Sequence, residues 1–253
     1  PLESLPTSGH KKSIMLTMKM TYEKSHLFMH TCHGKWLVDT GAPSSISPEL
    51  RLSFDQNGYQ RGFEVPATYM GIAIPMLTDL VGVEFQGLLG TDILNEYDIL
   101  WDIEAETMQL TENELDASSL GLVGNELAIG NIMGVPTLDV TCAGRSQTMF
   151  FDTGATHSYL TKFNEQLPPQ TKEVEDFLPG FGKFTTKLTQ INFEMDRVKY
   201  LLQTGELPPL IGMSLSLTGS EGIIGNEVMR HRRIGYFPRR DAMLIGPSLL
   251  LKE

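Results

Sequence analysis

Cysteine, positive charge and long apolar runs are all scarce in this sequence, and each scarcity removes a class of function. Two cysteines in 253 residues cannot build the disulfide framework of a small secreted scaffold. Cys32 and Cys142 either pair with each other or stay reduced in the core. Lys and Arg number 20 against 31 Asp and Glu, a net charge of −11. That balance argues against nucleic acid as a partner, because a binder needs a basic face to displace counterions. It fits a soluble, self-repelling protein. No apolar stretch approaches the roughly 18 residues that span a membrane; runs such as Leu249-Leu250-Leu251 are far shorter. The chain begins at Pro1 without a signal-peptide pattern, so a trimmed or processed product is expected. Disorder is excluded too, since hydrophobic residues reach 41% and charged residues only 20%, enough for a sizeable core.

What is present is a repeat. Val38-Asp39-Thr40-Gly41-Ala42 returns as Phe151-Asp152-Thr153-Gly154-Ala155, a recurrence that chance produces on the order of once in 10⁵ chains. Each copy ends an apolar run, Trp36-Leu37-Val38 and Met149-Phe150-Phe151, so each sits where a buried strand stops. A second landmark follows: Leu88-Leu89-Gly90-Thr91-Asp92-Ile93-Leu94, then Ile223-Ile224-Gly225-Asn226-Glu227-Val228-Met229. Both read as a buried strand, a Gly turn and a short helix. Upstream, Thr31-Cys32-x-Gly34-Lys35 is echoed by Thr141-Cys142-x-Gly144-Arg145, a hairpin turn before each strand. Three landmarks in one order predict a duplicated lobe, residues 1–115 and 116–253, with the acidic stretch Thr111 to Ser119 between.

The rest reads as short strands. Ile14, Leu16, Met18 and Met20 alternate, as on a half-buried strand, and Pro136, Leu138 and Val140 hold the comparable place, with Pro136 near an edge or start. Ile99 to Ile103 with Thr107 to Leu110 predicts a hairpin, matched by Ile234 to Phe237 with Ala242 to Ile245. Pro168-Pro169 and Pro208-Pro209 mark loops. The expected class is all-β with a few short helices.

An Asp ending a buried strand costs desolvation energy unless it is hydrogen-bonded. The Gly two residues on lets the backbone approach and donate to the carboxylate, and the Thr between supplies a hydroxyl that can bond across to another loop. Two such loops facing each other bring two carboxylates together, and like charges about 3 Å apart share one proton. A half-protonated pair can deprotonate a water and protonate a carbonyl oxygen in one step, with no metal, cofactor or covalent nucleophile.

These motifs resemble the aspartic proteases. Ala after Gly in both copies, and Asp152-Thr153-Gly154-Ala155-Thr156-His157-Ser158 as a whole, are more similar to the retroviral and retrotransposon (retropepsin-like) enzymes than to pepsins. The resemblance covers roughly residues 12–110 and 125–246. It implies two similar β-barrel lobes related by pseudo-twofold symmetry and an endopeptidase acting on protein or peptide. Asp39 and Asp152 would form the dyad, Thr40 and Thr153 would cross-link the loops, and Gly41 and Gly154 would donate N–H groups to the carboxylates. Gly90-Thr91-Asp92 and Gly225-Asn226-Glu227 lack the Arg of the retroviral signature and of its usual ion pair, and Pro43 also departs from the family. Because both acids lie on one chain, a monomer is expected, whereas the half-length enzymes must dimerise. A catalytically inactive peptide-binding module on the same fold is the alternative.

Other clusters are weighed against this reading. His26, His30, Cys32 and His33 invite a zinc site, and with it a metal-dependent hydrolase. Too many ligands would fall on one short strand, and the expectation is a partly exposed hairpin without metal. His157 is expected to make a structural hydrogen bond, and Arg230, His231, Arg232 and Arg233 a solvated face. The 13 Met residues are scattered as strand fillers. From Asp39 to Gly90 is 51 residues and from Asp152 to Gly225 is 73, so the second half has 22 more. Its Pro179-Gly180-Phe181-Gly182 predicts a hairpin tip: a single flap from the C-terminal lobe with Phe181 over substrate. The matching first-half region, Tyr59 to Val65, offers none. The competing use of the extra residues is a surface loop around Glu206 to Ser220.

Overall fold

The computed structural model describes residues 14–249 except Asn125, Glu165 and Thr171. Residues 1–13 and 250–253, at the outer ends of the two expected lobes, lie outside the described residues, and with them most of the Leu249 to Leu251 run.

The first half of the chain forms β1 (Leu16–Glu23), β2 (His26–Thr31), β3 (Gly34–Val38), β4 (Arg51–Gln56), β5 (Tyr59–Glu64), β6 (Thr68–Tyr69), β7 (Ile72–Ala73), β8 (Gly87–Leu89), β9 (Asp98–Asp102) and β10 (Thr107–Thr111), with α1 (Ile74–Val81) and α2 (Thr91–Leu94). The second half forms β11 (Glu126–Ile132), β12 (Val135–Cys142), β13 (Arg145–Asp152), β14 (Ser158–Leu160), β15 (Lys172–Leu178), β16 (Gly182–Met195), β17 (Val198–Glu206), β18 (Gly222–Gly225), β19 (Arg233–Phe237) and β20 (Ala242–Ile245), with α3 (Pro209–Leu217). The protein is mostly β.

Two parallel pairings position the repeated motifs. β3 runs beside β8, with Val38 opposite Leu89, and β13 runs beside β18, with Asp152 opposite Gly225. The apolar runs before each Asp are continuous, not alternating, because both faces are covered. Trp36 and Val38 enter the main core while Leu37 packs on the other side with Phe28, Ile46 and Leu77. Met149 and Phe151 enter the same main core, and Phe150 packs with Tyr159 and Ile223. Each such buried side chain stabilises the fold by about 1.5–3 kcal/mol.

Both expected hairpins form, β9 with β10 and β19 with β20. They also pair with each other, Tyr236 opposite Ile99 and Gly235 opposite Leu100. The strands β11-β20-β19-β9-β10-β1 therefore follow one another in a single sheet drawn from both halves. Trp101 and Tyr236 stack 5.5 Å apart across its middle. The acidic connection is held down as well: Leu115, Ala117 and Leu122 are buried against Phe237 and Leu244.

The upstream turn echo is a two-residue turn in each half but slips by one position. Thr31 pairs with Gly34, whereas Cys142 pairs with Arg145. Glu206 to Ser220 is mainly helix α3 and not a loop, with Pro209 in its first turn, where the missing N–H costs nothing. Gly225 follows the start of α3 by 16 residues, and Gly90 follows the start of α1 by the same 16. The 22 extra residues thus all precede the helix and go into the long strands β15, β16 and β17.

Candidate active site

Asp39 directly follows β3, Asp152 ends β13, and the loops that follow them meet. Gly41 N–H donates to Asp39 Oδ1 at 2.9 Å, and Gly154 N–H to Asp152 Oδ1 at 2.8 Å, joined by Ala155 N–H at 3.2 Å. Beneath them the threonines are fully buried and bonded crosswise. Thr40 Oγ1 donates to Phe151 O (2.7 Å) and accepts from Thr153 N–H (2.9 Å). Thr153 Oγ1 donates to Val38 O (2.9 Å) and accepts from Thr40 N–H (3.0 Å). Every polar atom of these side chains is satisfied, so the interior hydroxyls are favourable.

The glycines have a second role that spacing did not show. A Cβ on Gly41 would fall 2.6 Å from Asp152 Oδ1, and one on Gly154 2.6 Å from Asp39 Cγ. Each loop's glycine leaves room for the other loop's carboxylate.

The carboxyl groups are partly exposed to a cleft, with dense protein below. Burial, the Asp152 charge and a hydrogen bond with Asp152 push Asp39 well above the usual carboxylate range. Burial also raises Asp152, against the lowering by Gly154 N–H and by the hydrogen bond from Asp39. Both carboxyls are raised, and the titration steps of the pair belong to both residues together.

The second landmark supports each loop in the same way. Gly90 N–H donates to Ser45 Oγ (2.9 Å) and Thr91 N–H to Ala42 O (2.9 Å); Gly225 N–H donates to Ser158 Oγ (3.1 Å) and Asn226 N–H to Ala155 O (2.8 Å). In place of an ion pair, Asp92 accepts from Ser45 N–H and Oγ, and Glu227 from Gln203 N–H.

Two adjoining cavities flank the pair. One, of about 250 Å³, has walls from Pro43, Ile46, Tyr69, Ile72 and Leu88. The other, of about 60 Å³, is bounded by His26, Tyr159, Asp176, Phe184 and Ile223. Leu77, Leu178 and Pro179 line both.

The β15–β16 hairpin forms, with Leu178 opposite Gly182 and a Pro179-Gly180-Phe181 turn. Of the residues expected at its tip, Pro179 reaches both cavities. Gly180 lies near Ile72, its Cβ position 3.9 Å from Ile72 Cδ1. Phe181 is 45% exposed, and neither it nor Gly182 lines either cavity. Leu178, the last residue of β15, lines both cavities, and Phe177 lines only the smaller. The first half also contributes a short hairpin, from β6 and β7 with Met70-Gly71 at its turn. Tyr59 to Glu64 instead pairs with β4. The missed helix α1 carried a usable signal, Ile74, Leu77 and Val81 on one buried face after a Pro start.

The histidine cluster does not converge. His26 Nδ1 pairs with Lys24 O, His30 Nε2 with Thr21 Oγ1 and His33 Nε2 with Ser53 Oγ, and Cys32 is free and exposed. No group of metal-ligating side chains gathers among the described residues. His157 Nδ1 is buried without a hydrogen-bond partner among them, so the expected structural bond is absent at that atom; burial holds the ring's pKa down. The basic run is exposed at Arg230 and His231, as expected, and half-buried at Arg232 and Arg233, and its side chains are partnered. Arg230 donates to Tyr22 OH, His231 meets Glu104, Arg232 donates to Gly246 O and Arg233 pairs with Asp102. No helix among the described residues is long and apolar enough to cross a membrane.

No family model matches the chain, and no curated protein matches it.

Proposed function

We propose that this chain is an aspartic endopeptidase of the retropepsin-like kind, two similar lobes on one chain with Asp39 and Asp152 sharing the chemistry. The observation that carries the reading is the reciprocal pair: each Asp at the end of its strand, each Gly beside the opposite carboxylate, each Thr bonded into the opposite loop. The repeated support of the two loops by Ser45 with Gly90 and Ser158 with Gly225 favours a pseudo-twofold relation. A structural turn has no need for two neighbouring, mostly buried acids whose ionisation burial disfavours.

In the resting dyad the two carboxyls share one proton, and with that proton on Asp39, Asp152 is the base. A water between them transfers a proton to Asp152 as its oxygen bonds to the peptide carbonyl carbon, while Asp39 protonates the carbonyl oxygen. The tetrahedral diol then collapses. The C–N bond breaks as the nitrogen takes the proton from Asp152, a diol hydroxyl returns its proton to Asp39, and the dyad is restored. The crossed threonines hold both carboxyls in register without a moving part.

Digestion of a proteome-derived peptide library tests this. Cleavage that is lost in Asp39→Asn and in Asp152→Asn, with folding unchanged, supports the assignment. Binding of peptides without cleavage would point instead to an inactive peptide-binding module.

A further inference from the structure

The cleft does not end at the two cavities beside the dyad. The larger apolar cavity and the small one meet over Asp39 and Asp152 and share Leu77, Leu178 and Pro179. The small cavity in turn shares His26, Val81, Asp176 and Phe177 with a third, of about 260 Å³, rimmed by Lys24, Thr156, Glu175 and Lys183. The three form one path, from an apolar chamber across the dyad to a polar one.

Their sizes differ in a way that sorts side chains. About 60 Å³ holds only a few waters, and thus a small side chain, whereas 250 Å³ takes a large aliphatic or aromatic one. Chemistry changes at Asp176, which stands on the wall common to the second and third cavities. Its carboxylate accepts from Tyr159 OH, from Thr156 Oγ1 at 3.5 Å and from Phe177 N–H at 2.8 Å, so it is fixed in place. Among the other charges there, Lys183 is already paired with Glu175 at 2.7 Å, and Lys24 is exposed at the rim. His26 is 5% exposed, and its burial favours the neutral ring. The fixed, partly buried charge available to a substrate is therefore negative.

We infer that, given the peptidase reading above, the cleft selects an ordered segment: a bulky apolar residue on one side of the scissile bond, a small one on the other, and beyond it a basic residue bound by Asp176. Asp176 is then a specificity-determining residue near the turn end of the flap. A carboxylate fixed in this way attracts a cationic side chain and repels acidic ones.

The test uses the unmodified chain and synthetic peptides with Phe and Ala flanking the cleaved bond and Arg, Gln or Glu next to Ala, each made in both chain directions. In one direction the Arg peptide is expected to be cleaved with kcat/KM at least tenfold above Gln, with Glu slowest. Exchanging Phe and Ala is expected to cost at least tenfold. Asp176→Asn keeps an acceptor for Tyr159 and should bring the Arg-to-Gln ratio close to one. Equal cleavage of all peptides, or an Arg-to-Gln ratio that Asp176→Asn does not move, overturns the inference while the peptidase reading stands. No cleavage of these peptides or of a proteome-derived library overturns both.

Discussion

Gly41 and Gly154 show how much one missing methyl group can decide. Each is needed less for its own backbone than for the acid of the opposite loop, since an added Cβ would overlap that carboxyl group. Gly41→Ala and Gly154→Ala should each force the loops apart, abolish peptide hydrolysis and lower the melting temperature; both are read by hydrolysis assay and thermal denaturation. The dyad itself has a pH signature. Both carboxyls are raised by burial, so the stability they contribute is complete below the unfolded carboxylate range and is lost as pH rises through the folded values. Asp39→Asn removes one ionisation, so its melting temperature should overtake that of the unmodified protein as pH rises from acid to neutral. A difference that stays constant across pH would contradict this. Because Ala42 and Ala155 offer no hydroxyl to the ionised form, hydrolysis should peak at mildly acidic pH and not in the strongly acidic range; a pH–rate profile decides.

At the scale of elements, the cleft is covered unequally. β15 and β16 pair over seven positions, Lys172 to Leu178 with Gly182 to Leu188, while β6 and β7 pair over two. His26 stacks on Phe177 at 6.0 Å, which docks the turn end of the long hairpin on the first half. Since Leu178 and not Phe181 faces the dyad, Leu178→Ala should lower kcat/KM about tenfold, more than Phe181→Ala. Peptide kinetics on the two variants compare them directly. The hairpin was legible because Gly flanks an aromatic between β-prone segments; its inward face was not, because a one-residue change of register exchanges the two faces. Turns without glycine escaped for a related reason. Lys24-Ser25 and Asp196-Arg197 both take positive φ, a conformation that side chains of these types rarely adopt and that only the pairing of the flanking strands imposes.

The whole molecule is joined across its halves by the sheet that passes from β9 to β19 and by one buried acid. Asp98 is 1% exposed and receives Arg239 at 2.8 Å and Arg240 at 2.9 Å, with Leu115 N–H also donating to it at 2.8 Å. Asp98→Ala leaves the buried Leu115 N–H without its acceptor, while Arg239 keeps Glu112 O and Asn113 O and Arg240 keeps Leu115 O and Glu126; it should cost about 1–3 kcal/mol, measured by denaturant unfolding. A sheet shared in this way predicts one cooperative transition and not two. The complete dyad on one chain predicts activity per molecule that does not fall on dilution, which sedimentation and a dilution series check together.

The sequence alone determined the paired acids, the threonines beside them, the strand and Gly-turn landmarks and the terminal hairpins, because each is written in local spacing and burial pattern. Repetition marks the same features twice, since both copies carry the Asp-Thr-Gly-Ala loop and the Gly landmark in the same order. Tertiary structure decided what depends on distant residues meeting. It brought Gly41 against Asp152, paired β9 with β19, turned Leu178 inward in place of Phe181, and drew Arg239 and Arg240 onto Asp98. Those outcomes follow from which surfaces pack together, and packing between segments more than 100 residues apart leaves no periodicity in either one.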